Sequence, residues 1–122
     1  MVSACDVIWL VGYLEGEGSF TFNKNVPVLS VISTDEDVVQ RVANLTKQEL
    51  KGPYMYGHNR KPFWRVQLVG AKAIGWMFTI YYGMSLRRRS QIRFVIDEWK
   101  KVGTSRSSLT RNRNGFPTVS GL

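Results

Sequence analysis

Cysteine and histidine are almost missing from this chain: it has one of each, Cys5 and His58, in 122 residues. A single cysteine cannot close an intrachain disulfide, so the core must hold the fold, and such cysteine usage fits a reducing interior. His58 has no His or Cys partner at ligand spacing, which argues against a zinc site. Acids are scarce as well, with nine Asp and Glu against 17 Lys and Arg, a formal net charge of +8 and a pI near 10. That imbalance points to a polyanionic partner, nucleic acid ahead of an acidic membrane surface. No apolar run approaches the roughly 20 residues of a membrane span. The opening MVSACDVIW has no basic segment before its apolar run and does not read as a secretory signal. The expectation is an intracellular, non-secreted protein of the cytoplasm, an organelle or a phage-infected cell, with neither a membrane nor a small-molecule substrate as partner.

What the chain does have is apolar and aromatic mass. The hydrophobic fraction is 43%, with six Phe, five Tyr and four Trp, ample for one domain with one core. Residues 5–16 read as a helix with Val7, Leu10, Val11 and Leu14 on one side and a second stripe of Cys5, Ile8, Gly12 and Gly16. Both faces of this helix are expected to be buried, one bulky and one bare. Ser19, Thr21 and Asn23 then alternate with Phe20 and Phe22, the pattern of a half-buried strand. Asn23-Lys24-Asn25 can turn, and Pro27 opens a second strand, Val28 to Ile32. Ser33 or Thr34 is the expected cap of the next helix, with Glu36 or Asp37 completing a capping box. Val38, Val42 and Leu45 form its inner stripe, and Gly52-Pro53 ends it.

The order then recurs. Residues 54–69 hold a strand, a basic turn, a proline and a strand, followed by a helix with Ile74, Met77, Phe78 and Tyr81 as its apolar face. FNKNVPVLSV and GHNRKPFWRV both place a proline after a basic, Asn-containing turn, a weak internal repeat of two hairpin-plus-helix units. A last helix runs from about Leu86 to Val102, with Ile92, Val95, Ile96 and Trp99 inward. It opens on Arg87-Arg88-Arg89, where cations oppose the helix dipole. The expected fold is therefore α+β: one αββαββα domain over residues 1–102, with a four-stranded antiparallel sheet and helices on one face. Residues 103–122 are expected to be a basic, polar tail, flexible or ordered by DNA. The inner sheet face would carry Phe20, Phe22, Leu29, Val31, Val66 and Leu68. The outer face would carry Ser19, Thr21, Asn23, Ser30, Tyr56, His58, Arg65 and Gln67, a polar surface with aromatic and basic residues suited to base edges in a major groove.

One stretch resists a purely structural account. WLVGYLEGEGSF, residues 9–20, puts Gly12, Gly16 and Gly18 in or beside a helix and ends it with Glu15 and Glu17. Each glycine inside a helix costs about 1 kcal/mol relative to alanine, and carboxylates at a helix C-terminus oppose its dipole.

The run Leu10-Val11-Gly12-Tyr13-Leu14-Glu15-Gly16-Glu17-Gly18 resembles the signature of the LAGLIDADG homing endonucleases, and Ser19-Phe20 after it is similar to the family too. Valine stands for the first alanine and glycine for the second, and both acids are glutamates. The order of hairpins and helices over residues 5–102 matches the family's saddle-like homing-endonuclease fold. The motif's physics is intelligible. Gly12 and Gly16 lie four apart on one face, so a second copy of the helix can approach backbone to backbone. Two Glu17 carboxylates brought together would repel unless divalent cations bridge them, and Gly18 would let the chain turn sharply into the first strand.

One motif in the chain implies a homodimer, with Ile8, Trp9, Gly12, Glu15 and Gly16 at the interface and a long near-palindromic DNA site to match the twofold. The resemblance further implies Mg2+-dependent hydrolysis of one phosphodiester per strand, leaving short 3′ overhangs, with Ca2+ as an ion that binds without supporting cleavage. Glu17 matches the metal-binding acid and Gly18 offers its carbonyl; Glu15 matches the structural acid. Ser33 falls where the family often has a solvent-organising polar residue such as glutamine. Arg88, within Arg87–Arg89, falls where it commonly has a lysine near the last helix. The duplex-DNA contacts it implies are Ser19, Thr21, Asn23, Lys24, Asn25, Val28, Ser30, Tyr56, His58, Arg60, Lys61, Arg65, Gln67, Arg87 and Arg89. The missing glutamine and lysine leave an alternative open: a DNA- or RNA-binding relative, an intron maturase or transcription regulator, that kept the scaffold and cuts weakly or not at all.

Overall fold

The computed structural model of the chain describes residues 2–58 and 61–114. Helix α1, Ala4–Glu17, starts from a capping box in which Ser3 accepts from the Asp6 N–H and Asp6 reaches back to the Ser3 N–H. Strands β1, Gly18–Asn23, and β2, Val26–Ser33, follow as a hairpin. Lys24 and Asn25 both take positive φ, 52° and 66°. That is the two-residue turn whose twist matches antiparallel strands. Helix α2 spans Glu36–Thr46. Strands β3, Lys51–Tyr54, and β4, Phe63–Val69, form the second hairpin. Helix α3, Ala71–Ile80, leads through a short 3-10 turn to α4, Leu86–Asn114.

The four strands make one antiparallel sheet in the order β1-β2-β4-β3. All four helices touch β1, β2 or β4. Leu10 and Leu14 of α1, Val39, Val42 and Ala43 of α2, Ala73, Met77 and Ile80 of α3, and Ile92 and Val95 of α4 close over Phe20, Leu29, Val31, Val66 and Leu68. This is the α+β order that the alternating hydrophobicity predicts. Among the described residues no helix is long and apolar enough to cross a membrane.

Several local expectations change. The α2 N-cap is Asp35, without a side-chain cap bond, while Ser33 Oγ accepts from the Asp35 N–H at 3.1 Å. The later start turns the inner stripe to Val39, Val42, Ala43 and Thr46, and leaves Val38 and Leu45 only half-buried. Lys47 in the left-handed region ends α2, so Gly52 and Pro53 lie inside β3 rather than at the helix end. As a result Tyr56 and His58 fall in the connection after β3, not in a strand. Arg60 lies outside the described residues. Phe78 points outward from α3, because Ala73, Met77 and Ile80 fill the buried side. Helix α4 continues past Val102 to Asn114. Gly103 does not stop it, and the next proline is Pro117. The expected tail beyond Asn114 lies outside the described residues.

Candidate nucleic-acid interface and dimer face

The two sides of α1 meet different surroundings. Leu10 and Leu14 are sealed in the core. The Cys5, Ile8, Gly12, Gly16 stripe is exposed in the single chain, with Ile8 70% exposed. A Cβ built on Gly12 or Gly16 would meet nothing within 4 Å. Among the described residues, then, no close approach requires these two glycines. Trp9, expected at the same interface, sits on the flank: its ring stacks on Tyr13 at 5.3 Å and lies 4.0 Å below the Arg41 guanidinium of α2.

Gly18 works differently from the expected sharp turn. Its φ of −74° is open to any residue, yet an added Cβ would stand 2.8 Å from the Leu14 carbonyl oxygen. Close approach of β1 to the end of α1, not a left-handed turn, requires glycine here.

The two acids separate in role. Glu15 reaches across to α4, where its carboxylate accepts from the Ser85 N–H at 2.7 Å and the Ser85 hydroxyl at 2.9 Å. Ser85 stands immediately before α4 and its own Oγ accepts from the Arg88 N–H at 3.3 Å, as an N-cap does. The carboxylate that opposes the dipole of α1 therefore sits at the favourable end of α4. The Ser85 N–H holds its pKa below the ordinary value, opposed by desolvation and helped by the Ser85 hydroxyl and the charges of Arg88 and Arg87. Glu17, by contrast, is exposed at the end of the bare face.

The three arginines also separate. Arg88 is only 8% exposed; its Nε donates to the Glu15 carbonyl at 2.9 Å and another guanidinium nitrogen to Gln91 Oε1 at 2.9 Å, with the group 5.3 Å from the Phe20 ring. It thus serves the C-terminal end of α1, where a cation meets the helix dipole favourably. Arg89 donates to the Tyr81 and Tyr82 carbonyls at 3.2 and 2.7 Å. Arg87 is the exposed member of the three.

Beside Glu17, the end of β2 brings Ser33 to Tyr13. Burial pushes the Tyr13 phenol up, the Ser33 side chain opposes that rise, and the Glu17 and Asp35 carboxylates add to it. Sequence reading passed over Tyr13 because it stands at an apolar motif position. Its phenol lies close enough to the Ser33 end of β2 to feel Ser33, Glu17 and Asp35.

The sheet's outer face is laid out by register. Ser19, Ser30 and Gln67 form one row across β1, β2 and β4; Thr21, Val28 and Val69 form the next. On the other side of the polar row, Ile32 pairs Arg65, which pairs Lys51. Asn23, Lys24 and Asn25 are exposed at the hairpin tip. Ile32, Ser33, Thr34, Tyr56, Lys61, Phe63 and Arg65 line a hollow of about 510 Å3. The Tyr56 ring lies 5.3 Å from the Phe63 ring at a tilt of 31°, and the Arg65 guanidinium lies 5.4 Å from the Tyr54 ring. Arg65 Nε is buried with no hydrogen-bond partner among the described residues, while the side chain lines the hollow. His58 is exposed in the same connection as Tyr56. Two outer-face residues escaped the sequence reading, Ile32 and Val69, 51% and 52% exposed. Strict alternation along β2 and β4 points both outward.

Among the described residues no three His, Cys, Asp or Glu side chains converge to hold a metal ion. Glu17 is the exposed carboxylate at the end of α1, and Gly18 follows it.

No model of a known protein family matches the sequence, and no curated protein matches it either. Solved structures do match. An archaeal intron-encoded homing endonuclease, I-Vdi141I, complexed with DNA, aligns with a TM-score of 0.57 at 16% identity, over 80% of this chain and 69% of that one. The homing endonuclease I-CvuI, in complex with its target in the presence of calcium, gives 0.60 at 13% identity, over 88% and 74%. The group I intron-encoded homing endonuclease I-CeuI, complexed with DNA, gives 0.57 at 14% identity, over 76% of this chain and 53% of its own. At these identities the likeness is one of architecture, and the open four-stranded antiparallel sheet with its four helices gives this chain the homing-endonuclease fold.

Proposed function

We propose that this chain is a single-motif endonuclease of the LAGLIDADG type. Two copies dock through the bare faces of α1, their sheets lie along duplex DNA at a near-palindromic site, and one phosphodiester is hydrolysed on each strand. The observation that carries this is the open Gly12–Gly16 face with exposed Glu17 at its end. Two helical glycines without a close neighbour lower the stability of an isolated chain; against a second copy they permit backbone contact over an isologous interface. The net charge of +8 and the polar outer sheet supply the partner surface, and the structural neighbours described above are complexed with DNA.

The residues fit a hard divalent cation such as Mg2+. The Glu17 carboxylates of two copies, the Gly18 carbonyls and DNA phosphate oxygens are all oxygen donors. When bound, the ion supplies positive charge that eases formation of the attacking hydroxide and departure of the leaving oxygen. The chain's own groups do the rest. Glu15 ties the end of α1 to α4 and so fixes where Glu17 is presented. Ser33, beside Tyr13, orders solvent near the acid. Exposed Arg87, rather than Arg88, is the cation of the arginine cluster placed to meet a phosphate; a guanidinium can hold charge there but cannot act as a base.

A second reading, binding with weak or no cutting, is favoured by one observation: Arg88, at the position of the family's common lysine, is buried on the Glu15 carbonyl. A randomised duplex library incubated with the protein separates the two, with bound and cut molecules sequenced in Mg2+ and in Ca2+. We expect staggered cuts at near-palindromic sites in Mg2+ and enrichment without cutting in Ca2+. Glu17→Gln is expected to lower cutting by more than the ~10–100-fold typical of losing an outer-shell metal partner, with binding kept. Enrichment with no cutting in Mg2+ establishes the second reading, and preference for structured RNA over duplex at fixed salt directs it to RNA.

A further inference from the structure

The outer sheet face is not uniformly polar, and the register shows where its apolar residues stand. On β2 the outward residues are Val28, Ser30 and Ile32. Ser30 lies in a row with Ser19 and Gln67, whose side chains all carry groups able to hydrogen-bond. Val28 lies in a row with Thr21 and Val69, all three presenting methyl groups. Ile32 stands beside Arg65 at the rim of the outer hollow. The face is thus banded: an apolar row toward the hairpin tip, a polar row, then an apolar residue beside a cation at the end near Ser33.

Resting on the reading of the sheet as a DNA surface, we infer that Val69 and Ile32 each recognise the 5-methyl group of a thymine, at two positions about four base pairs apart in each half-site. In the major groove the methyl group is the one apolar feature that a base edge presents, and apolar side chains pair with it. The spacing follows from the strand. Val28 and Ile32 are four residues apart, which at ~3.4 Å per residue is ~14 Å, or about four steps of 3.4 Å along a DNA strand. The bases between fall to Ser19, Ser30 and Gln67. Arg65 sits beside Ile32 and lines the outer hollow, and takes a guanine next to the inner thymine. Ile32 and Val69 do not serve the core, since each is about half exposed on the face away from it, so changing them leaves the fold intact.

The test uses the full chain and the duplex enriched from the randomised library in Ca2+. Deoxyuridine replaces thymine at one position at a time, which removes only the methyl group. Burying one such group contributes about 0.8 kcal/mol, so each replacement at a read position is expected to weaken binding about fourfold, and replacement elsewhere to leave it unchanged. Val69→Asn should erase the thymine preference at the outer position only, and Ile32→Asn at the inner position only, with melting temperatures near that of the parent. Enriched sites without thymine at this spacing, or a neutral response to deoxyuridine at both positions while specific binding persists, overturn the inference and leave the endonuclease reading standing. Absence of any sequence-specific enrichment overturns both, and identifies Ile32 and Val69 as residues chosen for strand propensity alone.

Discussion

On one side of α1, Leu10 and Leu14 are sealed against the sheet; on the other, Ile8, Gly12 and Gly16 face open space. The two sides belong to the same fourteen residues and follow the same helical period. Their difference separates what holds this chain together from the face through which we propose that two copies dock. The buried side is bulky and filled. The open side is stripped of side chains at two positions where nothing among the described residues asks for it. Gly18, one turn on from Leu14, is the control: there a glycine is demanded by the chain's own packing.

Substitutions can break this contrast, and the largest effect belongs to the inner face. Leu14→Ala should lower the unfolding free energy by about 2–5 kcal/mol, as for other buried leucines, read by denaturant melts. The glycines come next and should differ in sign. Gly18→Ala drives a Cβ against the Leu14 carbonyl and is expected to cost about 1–3 kcal/mol. Gly12→Ala and Gly16→Ala should each stabilise the unassociated chain by up to about 1 kcal/mol through helix propensity. The same two changes should weaken self-association, measured by sedimentation against concentration. If Gly12→Ala and Gly16→Ala leave self-association unchanged, the bare face is not the dimer contact.

The smallest expected effect concerns Glu15. Its folded pKa is lowered by the Ser85 N–H above all. A lowered carboxylate pKa gives stability that is present above the ordinary value, 4.5, and is lost as pH falls through the lowered one. Glu15→Gln should therefore be felt at neutral pH and vanish in acid, flattening the acid limb of a melting-temperature profile. An unchanged acid limb would mean that the Ser85 contact contributes nothing to stability.

Much of this was legible without coordinates. Alternation in 19–32 and 63–69 gave the strands and their inner residues, because a half-buried strand writes period two directly into the chain. The sequence also marked the α1 stripe, since glycines at helical spacing stand out against the cost they carry. The second hairpin was less legible. Gly52 and Pro53 look like a helix stop but lie within β3, so Tyr56 and His58 moved from strand to connection. Propensity cannot tell a breaker between elements from one inside an edge strand. Ile32 and Val69 were missed for a related reason: hydrophobicity reports what a side chain is, whereas register reports which way it points.

The sequence by itself determined the order of elements, the bare face of α1, the excess of positive charge and the pair of acids at the end of the motif. All of these are local in the chain, set by spacing of a few residues or by composition. Only the tertiary structure decided the roles inside each cluster. Glu15 binds Ser85, 70 residues away, while Glu17 stays exposed. Arg88 turns in to the Glu15 carbonyl while Arg87 faces solvent. Neighbours in a sequence share composition, but on a helix they point about 100° apart. Which of them meets the end of another helix depends on how distant segments pack.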